Sequence, residues 1–247
     1  MLLAVDIGNT SIKFAFFDDG RLISRMSLAT SAAMFEEALR DTLGVHRTDV
    51  DTAIISSVVP DAESAVAGFV RTHCGTDPLL VRPDTDFALT IRYEPLASLG
   101  TDRLVNCFAA IERYDGPAIV CSFGTATTID VVTGTREYLG GVIALGMRTS
   151  ARALNQLTAN LPDVEPERPG SVLGNTTADS IRSGVFLGHA AMVEGLLQRI
   201  EAELDERPRV IATGGLASLI APEISRIDVV EADLTLEGLA LLHARLV

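Results

Sequence analysis

Asp6, Gly8, Asn9, Thr10, Ser11 and Lys13 fall within one short stretch, between the apolar runs Leu2–Val5 and Phe14–Phe17. A carboxylate is delivered into a tight turn, Gly8 lets the backbone approach a ligand closely, and three short polar side chains follow. Backbone N–H groups and hydroxyls converging on one point suit a phosphate, and the carboxylate suits the metal that accompanies it. The same residues also read as an ordinary N-terminal hairpin with a polar turn, because the motif is short. A second copy breaks the tie. Ala118–Val132 repeats the pattern 116 residues further on, with Gly124 on Gly8, Thr125 on Asn9 and Thr127 on Ser11. Where the first copy has Asp6, the second has Ser122. A repeated strand–polar turn–strand implies a duplicated domain with a ligand gripped between the halves.

Two further clusters carry polar chemistry. Gly100-Thr101-Asp102-Arg103 opens an apolar-periodic helix. Taken alone it reads first as a helix-start carboxylate, favoured by the dipole, beside a surface arginine. Arg209–Ala217 is a buried strand entering a Thr213-Gly214-Gly215 turn and a helix, a common way to seat a nucleotide near a helix N-terminus. Thr176 or Thr177 either caps the next helix or faces a ligand, and Gly140-Gly141 permits close approach of a neighbouring strand or a ligand.

The elements that must hold these groups follow from periodicity. Arg21–Ser27 extends the first hairpin into a meander, and Ser31–Leu43 reads as a helix through Ala32, Phe35, Leu39 and Leu43, stopped by Gly44. Thr52–Val59 is a buried strand, Asp61–His73 a helix and Leu79–Val81 a strand, so the first half runs strand, strand, strand, helix, strand, helix, strand. Gly116-Pro117 marks the seam, giving halves of 1–114 and 115–247. In the second half a helix at Arg148–Thr158 leads to a proline-containing stretch, Leu161–Gly170, that reads as a flap. A long helix through Leu187, Val193, Leu197 and Leu204 carries a broad apolar face, either core or a dimer seam.

Bulk properties exclude several classes. The net charge is −13, with 33 acidic and 20 basic residues, and no Lys/Arg-rich run or tryptophan offers a nucleic-acid surface. No apolar stretch reaches the roughly 20 residues of a membrane span. Met1 leads straight into a strand pattern without an export signal, and three cysteines form no paired framework, so a reducing cytoplasm is expected. The four histidines lack metal-ligand spacing.

Two paired ribbons plus a Thr-Gly-Gly turn resemble the actin-like, sugar-kinase and Hsp70 superfold, an α/β arrangement of two ribonuclease-H-like lobes, each a mixed sheet flanked by helices. Within it the chain closely resembles the type III pantothenate kinases. The likeness runs through Asp6–Thr10 with Lys13, Ser56–Pro60, Tyr93 and Pro95, Gly100–Arg103, Gly124–Thr128, Gly140-Gly141, Thr177–Gly184, Thr213–Gly215 and Asp233–Leu239. The resemblance implies ATP-dependent phosphorylation of pantothenate on its primary hydroxyl, the first committed step towards coenzyme A. It implies that Asp6, Ile7, Gly8, Asn9, Thr10, Ser11, Ile12 and Lys13 hold the ATP phosphates and Mg²⁺. Thr125, with Gly214 and Gly215, would meet the nucleotide from the other lobe. Tyr93, Gly100, Thr101, Asp102, Arg103 and Thr177 would bind pantothenate, with Asp102 as general base. It further implies a homodimer, and a monovalent cation, K⁺ or NH4⁺.

Two departures from the family pattern stand out. Ser122 occupies the position of an aspartate associated with the monovalent cation, and a neutral oxygen there weakens the affinity for a hard cation. Leu145 stands where proline usually precedes Gly146. A repurposed paralogue acting as an accessory transcription factor is the rival expectation, and a kinase for another small hydroxylated substrate is a third, since fold alone does not choose.

Overall fold

The computed structural model describes residues 1–31, 35–43 and 49–247. Ala32 and Gly44, assigned above to the first helix and its stop, lie outside the described residues. The chain divides into two compact units, Met1–Arg113 with Leu234–Val247, and Tyr114–Asp233.

In the first unit, β1 (Leu2–Ile7) pairs antiparallel with β2 (Ser11–Asp18), and β2 with β3 (Arg21–Ala29). Helix α1 (Phe35–Leu43) precedes β4 (Thr52–Ser57), which lies parallel to β1. Helix α2 (Pro60–Cys74) precedes β5 (Leu79–Leu80), parallel to β4, so the sheet order is β3-β2-β1-β4-β5. This is the element order expected from the sequence. Pro60 begins α2, one residue before the expected start at Asp61; at a helix's first position its missing N–H would be unpaired anyway. Leu3, Val5 and Ile7 of β1 and Ile12, Phe14 and Phe16 of β2 face Val66, Phe69 and Val70 of α2 in one core. The intervening Ala4 and Ala15 are buried as well, so both sheet faces are covered and the strands read as unbroken apolar runs. A short strand β6 (Thr90–Ile91) and α3 (Thr101–Tyr114) complete the stretch up to the seam.

The second unit repeats the plan. β7 (Ala118–Phe123), β8 (Ala126–Val132) and β9 (Glu137–Leu145) form an antiparallel meander. After α4 (Met147–Leu157) and α5 (Thr177–Glu201), β10 (Arg209–Thr213) lies parallel to β7, and β11 (Val229–Val230) parallel to β10. The order β11-β10-β7-β8-β9 mirrors that of the first unit. Gly141 admits the neighbouring strand: a methyl there would lie 2.1 Å from the Ile129 carbonyl oxygen. The apolar face of α5 is core, with Val185, Phe186, Val193 and Leu197 packed on Phe123, Ile129 and Val210. Leu161–Gly170, expected as a flap, is pinned instead: Val164 is buried in that core, Asn155 Nδ2 donates to the Leu161 carbonyl at 2.7 Å, and Arg148 pairs with Glu165 at 2.9 Å.

Helix α7 (Leu234–Leu246) stood at the end of the second half in the sequence division, but it packs within the first unit. Gly238 is the contact point, since a methyl there would meet Ala109 Cβ at 2.8 Å and Val105 Cγ1 at 2.9 Å. Thr235 Oγ1 donates to Asn106 Oδ1 at 2.7 Å, and His243 bonds Thr52 at 2.8 Å. The Asp233–Leu239 motif is therefore a fastening for α3, the helix whose first turn carries Asp102.

Candidate functional site

The sequence-selected residues gather into one polar cluster in each unit. In the first, Asp6 and Lys13 are cross-strand partners next to the β1–β2 turn, with Lys13 Nζ 3.8 Å from Asp6 Oδ2. The Asp6 side chain is 13% exposed. That burial raises its carboxyl above the usual value, against the opposing pull of the Lys13 ammonium. Gly8 N–H donates to the Ser11 carbonyl at 3.0 Å, and the Gly8 carbonyl accepts from Thr30 Oγ1 at 2.7 Å. Asn9 and Thr10 are left exposed at the tip. Ile7 and Ile12 point into the core, so any ligand contact they make runs through the backbone.

Asp102 belongs to the same cluster. Ser56 of β4 lies beside Asp6 in the parallel ladder, and its hydroxyl bonds Thr101 Oγ1 at 2.8 Å. That buried bond ties the start of α3 to the strand next to Asp6, so both carboxylates occupy one end of the sheet. Thr101, only 4% exposed, spends its hydroxyl there rather than towards an open face. Asp102 turns back over the preceding loop: a methyl on Gly100 would lie 2.5 Å from Asp102 Oδ1. Arg103 is not the surface residue its pattern first implied. It is 5% exposed, with its guanidinium 5.7 Å from the Tyr93 ring centroid. Tyr93 itself lines an open depression with Arg92, Glu94 and Pro95.

In the second unit the polar turns also converge. Gly124 N–H donates to the Ala126 carbonyl at 3.0 Å, which makes this turn one residue shorter than its first-unit counterpart. Residue-by-residue alignment set Thr127 on Ser11; the ladder puts it opposite Phe123, where the first copy has Ile12 opposite Ile7. Thr127 is accordingly buried and bonds His189 Nε2 at 2.8 Å. The imidazole is held below its usual pKa by burial. The Thr125 carbonyl accepts from Gly146 N–H at 3.0 Å and Thr149 Oγ1 at 2.5 Å, leaving the residue exposed at the tip. Gly214, at φ +93°, lies flat on the end of the neighbouring strand β7, where a methyl would meet the Phe123 carbonyl oxygen at 2.7 Å. The helix after Gly215, α6 (Ala217–Ile220), is a single turn, so the expected helix-dipole seat for a nucleotide is weak. What remains is a glycine turn set against the Thr125 hairpin.

Ser122 shares a rung with Thr128 of β8 and Thr213 of β10, three hydroxyls in a row on one sheet face. Among the described residues, the buried Thr213 Oγ1 has no hydrogen-bond partner. Asp130 lies on that face two residues further from the turn, where it accepts from Tyr138 at 2.7 Å. At the head of α5, Thr176 is the N-cap, accepting from Asp179 N–H at 3.1 Å. Thr177 is thereby left exposed, lining a largely apolar depression of about 550 Å³ with Leu145, Leu154 and His189. Among the described residues, no three His, Cys, Asp or Glu side chains gather as a protein-only metal site. Sequence patterns gave no role to Asp130 or His189, and Ser56 stood only within the Ser56–Pro60 likeness, without a partner. The three-dimensional pairing reveals what each of them meets.

A meander with two added parallel strands, present twice and bearing a polar turn at the end of the first strand each time, defines the actin-like superfold of ATPases and sugar kinases. A Streptomyces griseus ROK family glucokinase, solved with glucose and AMPPNP, shares the architecture at a TM-score of 0.57 and 15% identity over 98% of both chains. So does a Campylobacter jejuni protein described as a conserved candidate Baf family transcriptional activator, at a TM-score of 0.63 and 16% identity over 98% of both chains. At those identities the likeness speaks to the fold alone. Sequence is more specific: the type III pantothenate kinase family model matches residues 2–199, and a type III pantothenate kinase from Roseiflexus sp. (strain RS-1) is 45% identical over 98% of both chains. The chain belongs to the type III pantothenate kinase family.

Proposed function

We propose that this protein transfers the γ-phosphoryl group of ATP to the primary hydroxyl of pantothenate, giving 4′-phosphopantothenate at the first step of coenzyme A formation. Family membership supports this over the regulatory alternative. The observation that carries the mechanism is the Ser56–Thr101 bond, which sets the Asp102 helix start beside the Asp6 strand within one unit.

Phosphoryl transfer asks the protein for in-line placement, charge neutralisation and a proton acceptor. The substrate hydroxyl oxygen forms the new bond to γ-phosphorus, the bond to the β–γ bridging oxygen breaks, and ADP leaves. Asp102 accepts the hydroxyl proton as that bond forms. Arg103, braced over Tyr93, offers a planar fork to the pantothenate carboxylate, and Thr177 adds a hydroxyl. Within the first unit the backbone of Gly8 to Ile12, with Lys13, is the phosphate-binding part of this proposal, and within the second unit Thr125, Gly214 and Gly215 are. Mg²⁺ would be held by Asp6 together with the phosphates and would neutralise their charge; a carboxylate disfavoured by burial gains from such a counter-ion. On the rung of Ser122 a monovalent cation would meet neutral hydroxyls, among them Thr213 Oγ1, which has no partner among the described residues, so it would be held weakly. A homodimer would bury the exposed Ile143, Leu145, Leu154 and Leu157, rather than the core face of α5. No nucleic-acid or membrane partner belongs to this proposal, and its setting is the cytoplasm, where ATP is abundant.

Asp102→Asn tests the central step. Turnover should fall by two orders of magnitude or more, about the contribution of a general base, while Mg·ATP affinity holds within a few-fold. Wild-type turnover in that variant at saturating substrates would remove Asp102 from the role.

A further inference from the structure

The hairpin that carries Thr125 is anchored on several sides. Gly146 and Thr149 hold the Thr125 carbonyl, and Leu216 N–H donates to the Phe123 carbonyl at 3.2 Å. The remaining support comes from inside the unit. Phe123 and Thr127 are the last paired residues of β7 and β8 before the turn, and His189 of α5 touches both. Its Nε2 lies 2.8 Å from Thr127 Oγ1, and its ring meets Phe123 edge-on, with centroids 6.3 Å apart at 65°. Both members of the polar pair are buried, Thr127 at 2% and His189 at 7% exposure, among Phe123, Val185, Phe186 and Val193.

An aliphatic side chain would fill that core space without the cost of desolvating an imidazole. What an aliphatic residue lacks is a directional hold on Thr127, which follows directly on Ala126, whose carbonyl closes the turn at Gly124. We propose that His189 is a positioning residue for the nucleotide: by fixing Thr127 it fixes the end of the hairpin, and so the place of Thr125 relative to the triphosphate. This rests on the proposal above that Thr125 meets the triphosphate. His189 also lines the depression beside Thr177, so an unchanged KM for pantothenate is what separates this positioning role from a substrate contact. Without the bond, the hairpin end samples more positions, and ATP must reorder it on binding.

The test compares His189→Ala, His189→Gln, Thr127→Val and the double variant His189→Ala/Thr127→Val with the parent, in steady-state kinetics and in Mg·ADP binding by calorimetry. Loss of one buried hydrogen bond should raise the KM for ATP and weaken Mg·ADP binding about fivefold, with kcat and the KM for pantothenate within twofold. The double variant should be no worse than the poorer single one. His189→Gln, whose amide can reach Thr127, should recover most of the affinity. Thr125→Ala is the control for the underlying proposal. If Thr125→Ala weakens ATP binding while His189→Ala and Thr127→Val lower only the melting temperature, His189 is a packing residue and the inference is overturned. If Thr125→Ala leaves ATP binding unchanged, the role of the turn fails and the inference falls with it. Should the alanine variant not fold, His189→Gln and Thr127→Val decide: normal affinity in Thr127→Val overturns the inference, and a fivefold loss there with near-parent affinity in His189→Gln upholds it.

Discussion

Gly100→Ala separates the placement of the Asp102 carboxylate from the stability of the fold. The added methyl would sit 2.5 Å from Asp102 Oδ1, whereas the next atoms, Asp102 Cγ and Val58 Cγ1, are both at 3.7 Å. A comfortable carbon–oxygen contact is about 3.3 Å, so the carboxylate must retreat by roughly 0.8 Å. The clash is with the far end of a side chain, and the backbone need not move. Replacing glycine by alanine at a compatible site stabilises by about 0.4–1 kcal/mol through the unfolded chain. The melting temperature should therefore hold or rise slightly. Misplacing a reacting group by about 1 Å costs up to about a hundredfold in rate, so kcat should drop ten- to a hundredfold while the KM for ATP stays near the parent value. A coupled assay for ADP release at saturating pantothenate, run beside a thermal melt, reads both quantities. A folded variant with kcat within twofold of the parent would refute the placement of the base.

Three other perturbations follow from the same geometry. Ser122→Asp should lower the K⁺ concentration for half-maximal rate, and should make the melting temperature respond to K⁺ in nucleotide-bound protein; a tight K⁺ dependence already present in the parent would contradict the weak neutral site. Asp6→Asn should stabilise the nucleotide-free protein at neutral pH while abolishing Mg·ATP binding. Burial raises the folded carboxyl above the reference value of 3.8, so the folded state binds more protons and parent stability falls as pH rises from that value through the folded one. The advantage of Asn should vanish below the lower limit of that window, and a less stable Asn variant at neutral pH would reverse the argument. Gly146→Ala drives a methyl to 2.1 Å from the Gly124 carbonyl oxygen and 2.7 Å from that of Thr125. Backbone must yield, so denaturant unfolding should show a loss on the order of 2–4 kcal/mol, against no change if the turn can shift freely.

Much of the architecture is legible because the apolar runs are long and their punctuation is strong. The first-half order through β5 follows from Leu2–Val5, Phe14–Phe17 and Thr52–Val59, each bounded by turn residues. The duplication is legible as well, but its register is not. A one-residue difference in turn length is invisible to position-by-position alignment, and it moved Thr127 from a loop into the core. Burial of charge is equally hard to read. Arg103 sits in a pattern that suits a surface arginine, and only the Tyr93 ring and the α3 packing show why it is enclosed. The place of α7 was lost for a different reason. Its contact with α3 joins residues more than a hundred positions apart through Gly238, and a glycine in a helix carries no sign of its partner. The apolar face of α5 is legible through Val193 and Leu197, but that it is core, and that Val185 and Phe186 share it, emerges only once β7 and β8 are set against it.

Direct detection of the product bears most closely on the proposed reaction. Phosphorus NMR of the purified protein incubated with Mg·ATP, K⁺ and pantothenate should reveal a new phosphomonoester growing in step with ADP, and neither signal when pantothenate is withheld. ADP formed equally without pantothenate, or no phosphomonoester at any K⁺ concentration from folded protein, would contradict it.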